Sequence, residues 1–144
     1  MKSDDARARE AREWLDKAAD DLGSCRALIV SGYFSNALFF CQQAAEKSLK
    51  AFLTWHDRPF RNTHDIEKLG DVCREIDDSL GALADEADVL SEYAWKLRYP
   101  GSRYKPKRKE VEIMLGVAAQ VFREVQSRLP PDARHTEDHG DHEQ

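Results

Sequence analysis

From Ala11 to Leu129 the apolar residues recur at intervals of three and four, and nowhere does the chain alternate apolar with polar in the Val/Ile/Thr-rich manner of a strand. A sequence so patterned has only helices with which to bury its apolar atoms. The expected fold is all-α: an antiparallel up-and-down bundle of four main helices plus one short helix. At 144 residues the chain suits one domain with one core, and no repeat-length period is visible.

The first helix is expected over residues 4–31, with Ser3 or Asp4 as N-cap and Gly32 as its stop. Ala11, Trp14, Leu15, Ala18, Leu22, Cys25 and Ile29 form its apolar stripe; residues 2–10 carry no large apolar side chain and are expected to fray or project. Gly23, inside this helix, costs about 1 kcal/mol relative to alanine and would permit close packing. A turn at Gly32-Tyr33-Phe34 leads into a second helix that runs to about His56. Pro59 keeps residues 57–62 out of helix, and Thr63 is the expected N-cap of a short third helix carrying Ile66, Leu69, Cys73 and Ile76. Asp77-Asp78-Ser79 restarts the chain into a fourth helix stepped on Leu80, Leu83, Ala87, Leu90, Ala94 and Leu97, which Tyr99-Pro100-Gly101 ends. Pro106 suits the first turn of a fifth helix, whose stripe runs from Val111 through Met114, Leu115, Ala118, Phe122 and Val125 to Leu129. The bundle is thus expected over residues 1–129, with an acidic, histidine-containing and disordered tail over 130–144.

The second helix holds the main anomaly. Its stripe of Phe34, Leu38, Cys41, Ala45, Leu49 and Phe52 is interleaved with Gln42, Gln43, Glu46, Lys47 and Lys50, so polar groups lie beside the core line as well as opposite it. One explanation is a solvated face on which Glu46 and Lys50 form an i,i+4 pair worth about 0.2–0.5 kcal/mol. The other is a polar site or interface. Phe39 and Phe40 add apolar area beyond the stripe, which suits a helix at the centre of the bundle or one that faces a partner chain.

Charge is segregated. Five acids against Arg134 in the residues after Leu129 account for −4 of the net −5, leaving the body near neutral at −1. Between Lys96 and Lys109 seven of fourteen residues are Lys or Arg and none is acidic, with Tyr99 and Tyr104 set among them. Cations with interleaved aromatics suit phosphate contact plus base stacking, the latter worth about 1–3 kcal/mol per base. The same run also fits a solvated linker, or one that binds an acidic tail.

His56 and His64 are the histidines of the body, and Arg58 and Arg61 before His64 invite a general acid/base reading, against which stands a loop histidine bonded to backbone. His135, His139 and His142 in the tail suit adventitious metal binding at most. Cys25, Cys41 and Cys73 lack metal or redox spacing and read as reduced core residues. No Gly-rich phosphate loop, nucleophile elbow or His-Glu-x-x-His is present, and no cofactor or resident metal is expected. No run is apolar enough to cross a membrane and no signal peptide is visible, so the expected setting is the cytoplasm.

Taken together, Trp14 through Leu22, Gly32-Tyr33, the run from Gln42 to Ala51, Thr63-His64-Asp65 and Arg98-Tyr99-Pro100 resemble the HEPN domain family over about Trp14 to Leu129. The resemblance implies an up-and-down bundle that forms homodimers and pairs with a small nucleotidyltransferase, often as a toxin–antitoxin couple. Many members are metal-independent ribonucleases with an arginine followed at short interval by a histidine; others, among them the C-terminal domain of sacsin, bind nucleotides. Arg98 matches the motif arginine, and Glu46 or Lys47 would be its polar partner on the second helix. Five and six residues beyond Arg98 stand Arg103 and Tyr104, so the motif histidine is absent. The expected function is that of a dimeric module binding a nucleotide or RNA phosphate through Glu46, Lys47, Lys50, Arg98, Tyr99, Arg103, Tyr104 and Lys105. The alternatives are a divergent ribonuclease built on Arg98, Tyr104 and His64, and a purely protein-interaction bundle.

Overall fold

Ser3 starts the first helix, α1 (Asp4–Ser31), by accepting a hydrogen bond at its hydroxyl from the Ala6 N–H, and Asp4 and Asp5 place negative charge at the positive end of the helix dipole. Gly32 ends it in the left-handed region (φ 83°), where the N–H groups of Gly32 and Tyr33 close onto Ile29 and Leu28. This computed structural model describes residues 2–60 and 65–136, apart from the side chains of Ala94, Trp95 and Arg98. The remaining helices are α2 (Phe34–Trp55), α3 (Ile66–Ile76), α4 (Gly81–Arg98) and α5 (Arg108–Ser127), with single 3-10 turns at Asp78–Leu80 and Pro131–Ala133. The all-α expectation holds, four long helices and one short one included.

The short connection through Gly32 and Tyr33 folds α2 back along α1, and α2 touches each of the other four helices. That central position explains why its burial runs all round, through Ala37, Leu38, Cys41, Ala44, Ala45, Ser48, Leu49, Ala51, Phe52 and Leu53. α3 and α4 cross closely at Gly70, where a Cβ would stand 2.7 Å from that of Ala84. Gly23 meets nothing within 4 Å, so it serves no close packing, and α1 runs unbroken through it.

Four sequence expectations need correction. The start of α1 neither frays nor projects: Ala8 is in the core, and Arg7 lies over the Trp55 ring while donating to the Trp55 carbonyl at 3.0 Å, satisfying an acceptor at the end of α2. α3 is capped by Asp65, whose carboxylate accepts from the Glu67 N–H, and Thr63 lies outside the described residues. α5 begins two residues after Pro106, at an N-cap Lys107 whose N–H donates to Glu110. Residues 130–136 continue the fold where disorder was expected. Ala133 is buried, Arg12 donates to the Asp132 carbonyl, Arg134 donates to the Leu129 carbonyl at 2.7 Å, and the His135 ring sits 2.7 Å from Asp16. His139 and His142 lie outside the described residues.

Candidate functional site

Because α2 is surrounded, its polar residues form a buried column. Glu46 and Lys50 are only 2 % and 3 % exposed and pair at 3.2 Å, and Gln42 donates to Glu46 one turn earlier. The Lys50 ammonium lies 5.3 Å and 5.8 Å from the ring centroids of Trp14 and Phe60, so aromatic faces supply part of the solvation it lost. A solvated-face reading of Glu46 and Lys50 is therefore wrong: the spacing does make the pair, but inside the protein. Lys47 turns to α1 and binds Asp21 at 2.6 Å. Burial raises the Asp21 carboxyl above its usual value even though Lys47 pulls it down. None of Glu46, Lys47 and Lys50 presents an uncompensated charge to solvent.

The segment between α4 and α5 is built differently. Just before it, in the last turn of α4, Lys96 lies over the rings of Tyr93 and Tyr104, 5.5 Å and 5.3 Å from their centroids. The Tyr104 hydroxyl donates to Glu110 at 2.7 Å, and burial together with that hydrogen bond pushes its ionisation well above the ordinary phenol value. The same bonds hold the Glu110 carboxyl below its usual range, so this acid is an acceptor engaged by two tyrosines and the Lys107 N–H. Tyr104 is thus a neutral phenol fixed in the wall.

Beyond that wall, Arg103, Lys105, Lys107 and Lys109 are exposed, and among the described residues no salt bridge holds their charged ends. Arg108 lies over the Phe34 ring, and Tyr99 is 55 % exposed. Lys107 to Lys109 also stand at the start of α5, where the helix dipole favours an anion. Arg98 is the last residue of α4, at the root of this loop, and His64 lies outside the described residues. Tyr99, Arg103, Lys105 and Lys107 follow one another along the connection from α4 to α5 and Lys109 lies in the first turn of α5, whereas Glu46 and Lys50 are buried on α2 and Lys47 binds Asp21. Lys107 and Lys109 belong to the same basic run as Lys96; what sets Lys96 apart is its seat over two tyrosine rings.

Other polar places are less suited to a ligand. A cleft of about 420 Å³ opens over Trp14, Thr54 and Phe60, but its cations are engaged, Lys2 with Glu10 and Arg58 with Glu75. Carboxylate oxygens of Asp65, Glu67 and Asp88 lie within 4.8 Å of one another, a spacing exposed acids also reach without a cation, and Asp65 is occupied in capping α3. His56 packs on the Phe52 ring at 4.5 Å, and burial followed by the nearby Arg7 lowers its pKa. Among the described residues no helix is long and apolar enough to cross a membrane.

A model of the HEPN domain matches residues 11–128. TT1696 from Thermus thermophilus, known from its crystal structure, superposes with a TM-score of 0.74 at 28% identity, over 83% of this chain and 98% of that one. ST0689, an archaeal HEPN homologue, superposes with a TM-score of 0.60 at 21% identity over 83% of this chain and 97% of its own, a likeness of fold. Among curated proteins no match is found.

Proposed function

The chain belongs to the HEPN domain family, and on that premise we propose that it is a binding module for the phosphates of a nucleotide or of RNA, held along the loop between α4 and α5. The observation that carries this is the exposed set Arg103, Lys105, Lys107 and Lys109, with no acidic side chain anywhere from Lys96 to Lys109. In a body of near-zero charge this loop is where an anion gains most. Arg103 and Lys105 contact phosphate, Tyr99 offers a stacking face, and Tyr104 shapes the wall through Glu110 and Lys96. Arg98 joins the site by its place at the root of the loop.

The module acts as a homodimer beside a small nucleotidyltransferase, in a toxin–antitoxin-like couple. Val30, 81 % exposed in the last turn of α1, and Tyr33, 60 % exposed in the turn that follows, support a protein partner, since their apolar surface is uncovered.

The test is binding of a fluorescent single-stranded RNA, and separately of ATP, by the protein and by an Arg103→Ala/Lys105→Ala variant across a range of salt. The expected result is weaker binding and a log–log salt slope shallower by about 0.7 for each phosphate contact removed. Equal affinity and equal slope would refute the reading. Which of the two ligands responds identifies the one the loop takes.

A further inference from the structure

Cys25 on α1 and Cys41 on α2 each stand eight residues from Tyr33, in the turn that folds one helix back along the other. They therefore face each other at matching heights, about two helical turns from the connection. Both side chains are fully buried, and their sulfurs are 2.8 Å apart, one thiol donating to the other. A bonded pair stands at about 2.05 Å, so little sulfur movement separates the contact from a bond. Cys73 is the internal contrast: it is equally buried, but its thiol faces the Leu49 carbonyl at 3.9 Å.

We propose that Cys25 and Cys41 are a redox couple that a peroxide converts into a disulfide, stapling α1 to α2. Either thiol can donate to the other, so whichever of the two ionises is the nucleophile and its neighbour keeps the proton. That thiolate attacks one peroxide oxygen, the O–O bond breaks, and the departing hydroxide takes a proton to become water, leaving a sulfenic acid. The second sulfur of the pair then attacks the sulfenic sulfur; the S–O bond breaks, and the departing oxygen leaves as a second water with the proton of the second thiol. Two thiols lose two electrons and two protons, and one peroxide becomes two waters. Hydrogen peroxide is close to water in size, and local opening of the helix pair admits it.

The experiment treats the full-length protein with hydrogen peroxide, denatures it, labels free thiols with N-ethylmaleimide and measures the intact mass. Three labels are expected on the reduced protein and one on the oxidised protein, with a proteolytic peptide joining Cys25 to Cys41. Closing the loop also raises Tm, reversibly on adding dithiothreitol. Cys73→Ser keeps the cross-link, whereas Cys25→Ser and Cys41→Ser each lose it. Three labels on the oxidised wild-type protein, or a cross-link that uses Cys73, would overturn the proposal.

Discussion

Glu46 and Lys50 on α2 are sealed from solvent and pair under the rings of Trp14 and Phe60, whereas Arg103, Lys105 and Lys107 between α4 and α5, and Lys109 in the first turn of α5, stand in water along a run that holds no acid. In the sequence both are short runs in which charged residues are interleaved with uncharged ones. The difference lies in what surrounds them. A buried charge must be answered by the protein itself, so its partners become part of the fold. An exposed cation with no protein partner costs the fold nothing and stays available to an anion.

The largest effect should come from breaking the closed group. Lys50→Met removes the ammonium that pairs with the buried Glu46 carboxylate at 3.2 Å and is expected to lower stability by about 3–5 kcal/mol in urea unfolding. Replacing both, as Glu46→Leu/Lys50→Met, should recover most of that loss. If the single change costs under about 0.5 kcal/mol, as surface substitutions do, the column is not closed.

The same contrast between enclosed and open applies to two glycines. Gly70→Ala drives a methyl into Ala84 and should cost about 1–3 kcal/mol. Gly23→Ala meets nothing and should stabilise by roughly 0.5–1 kcal/mol through helix propensity. Thermal melts of the two variants check the opposite signs.

On the open side, Arg103→Ala/Lys105→Ala should weaken RNA binding about tenfold, equivalent to ~1.4 kcal/mol, while moving stability by less than about 0.5 kcal/mol. A large stability loss without a change in affinity would reverse the roles of the two groups.

The smallest effect concerns pH. The folded state lowers the His56 pKa, so as pH falls through about 6.5 the unfolded chain takes up a proton that the folded one declines. Stability contributed by neutral His56 is thus complete above that pH and is lost below it, until the folded value is reached. Urea midpoints at pH 7.5 and 5.5 should differ less for His56→Phe than for the unchanged protein.

The fold was legible because three- and four-residue steps, Ser3 and Gly32 are local signals, and each carried through to the observed α1 and its neighbours. The closed column was not legible, because periodicity gives the direction of one stripe and says nothing of how many sides a helix must cover. Phe60 closes over Lys50 from a loop that carries no periodic signal. Residues 130–136 were misread for a related reason: they are held by arginine bonds to carbonyls, a histidine on Asp16 and one buried alanine, none of which has a hydropathy signature. The basic loop was visible as charge. Its division into a tyrosine-bound Lys96 and solvent-facing Arg103, Lys105, Lys107 and Lys109 required the structure.

The most direct test is an amide NMR titration of the protein with a short single-stranded RNA and with ATP, following the peaks of residues 99–109 beside those of residues 42–50. A closed column and an open loop predict shifts concentrated in 99–109, with 42–50 unmoved. Shifts centred on Gln42, Glu46 and Lys50, with the loop silent, would contradict that division of charge and return the site to α2.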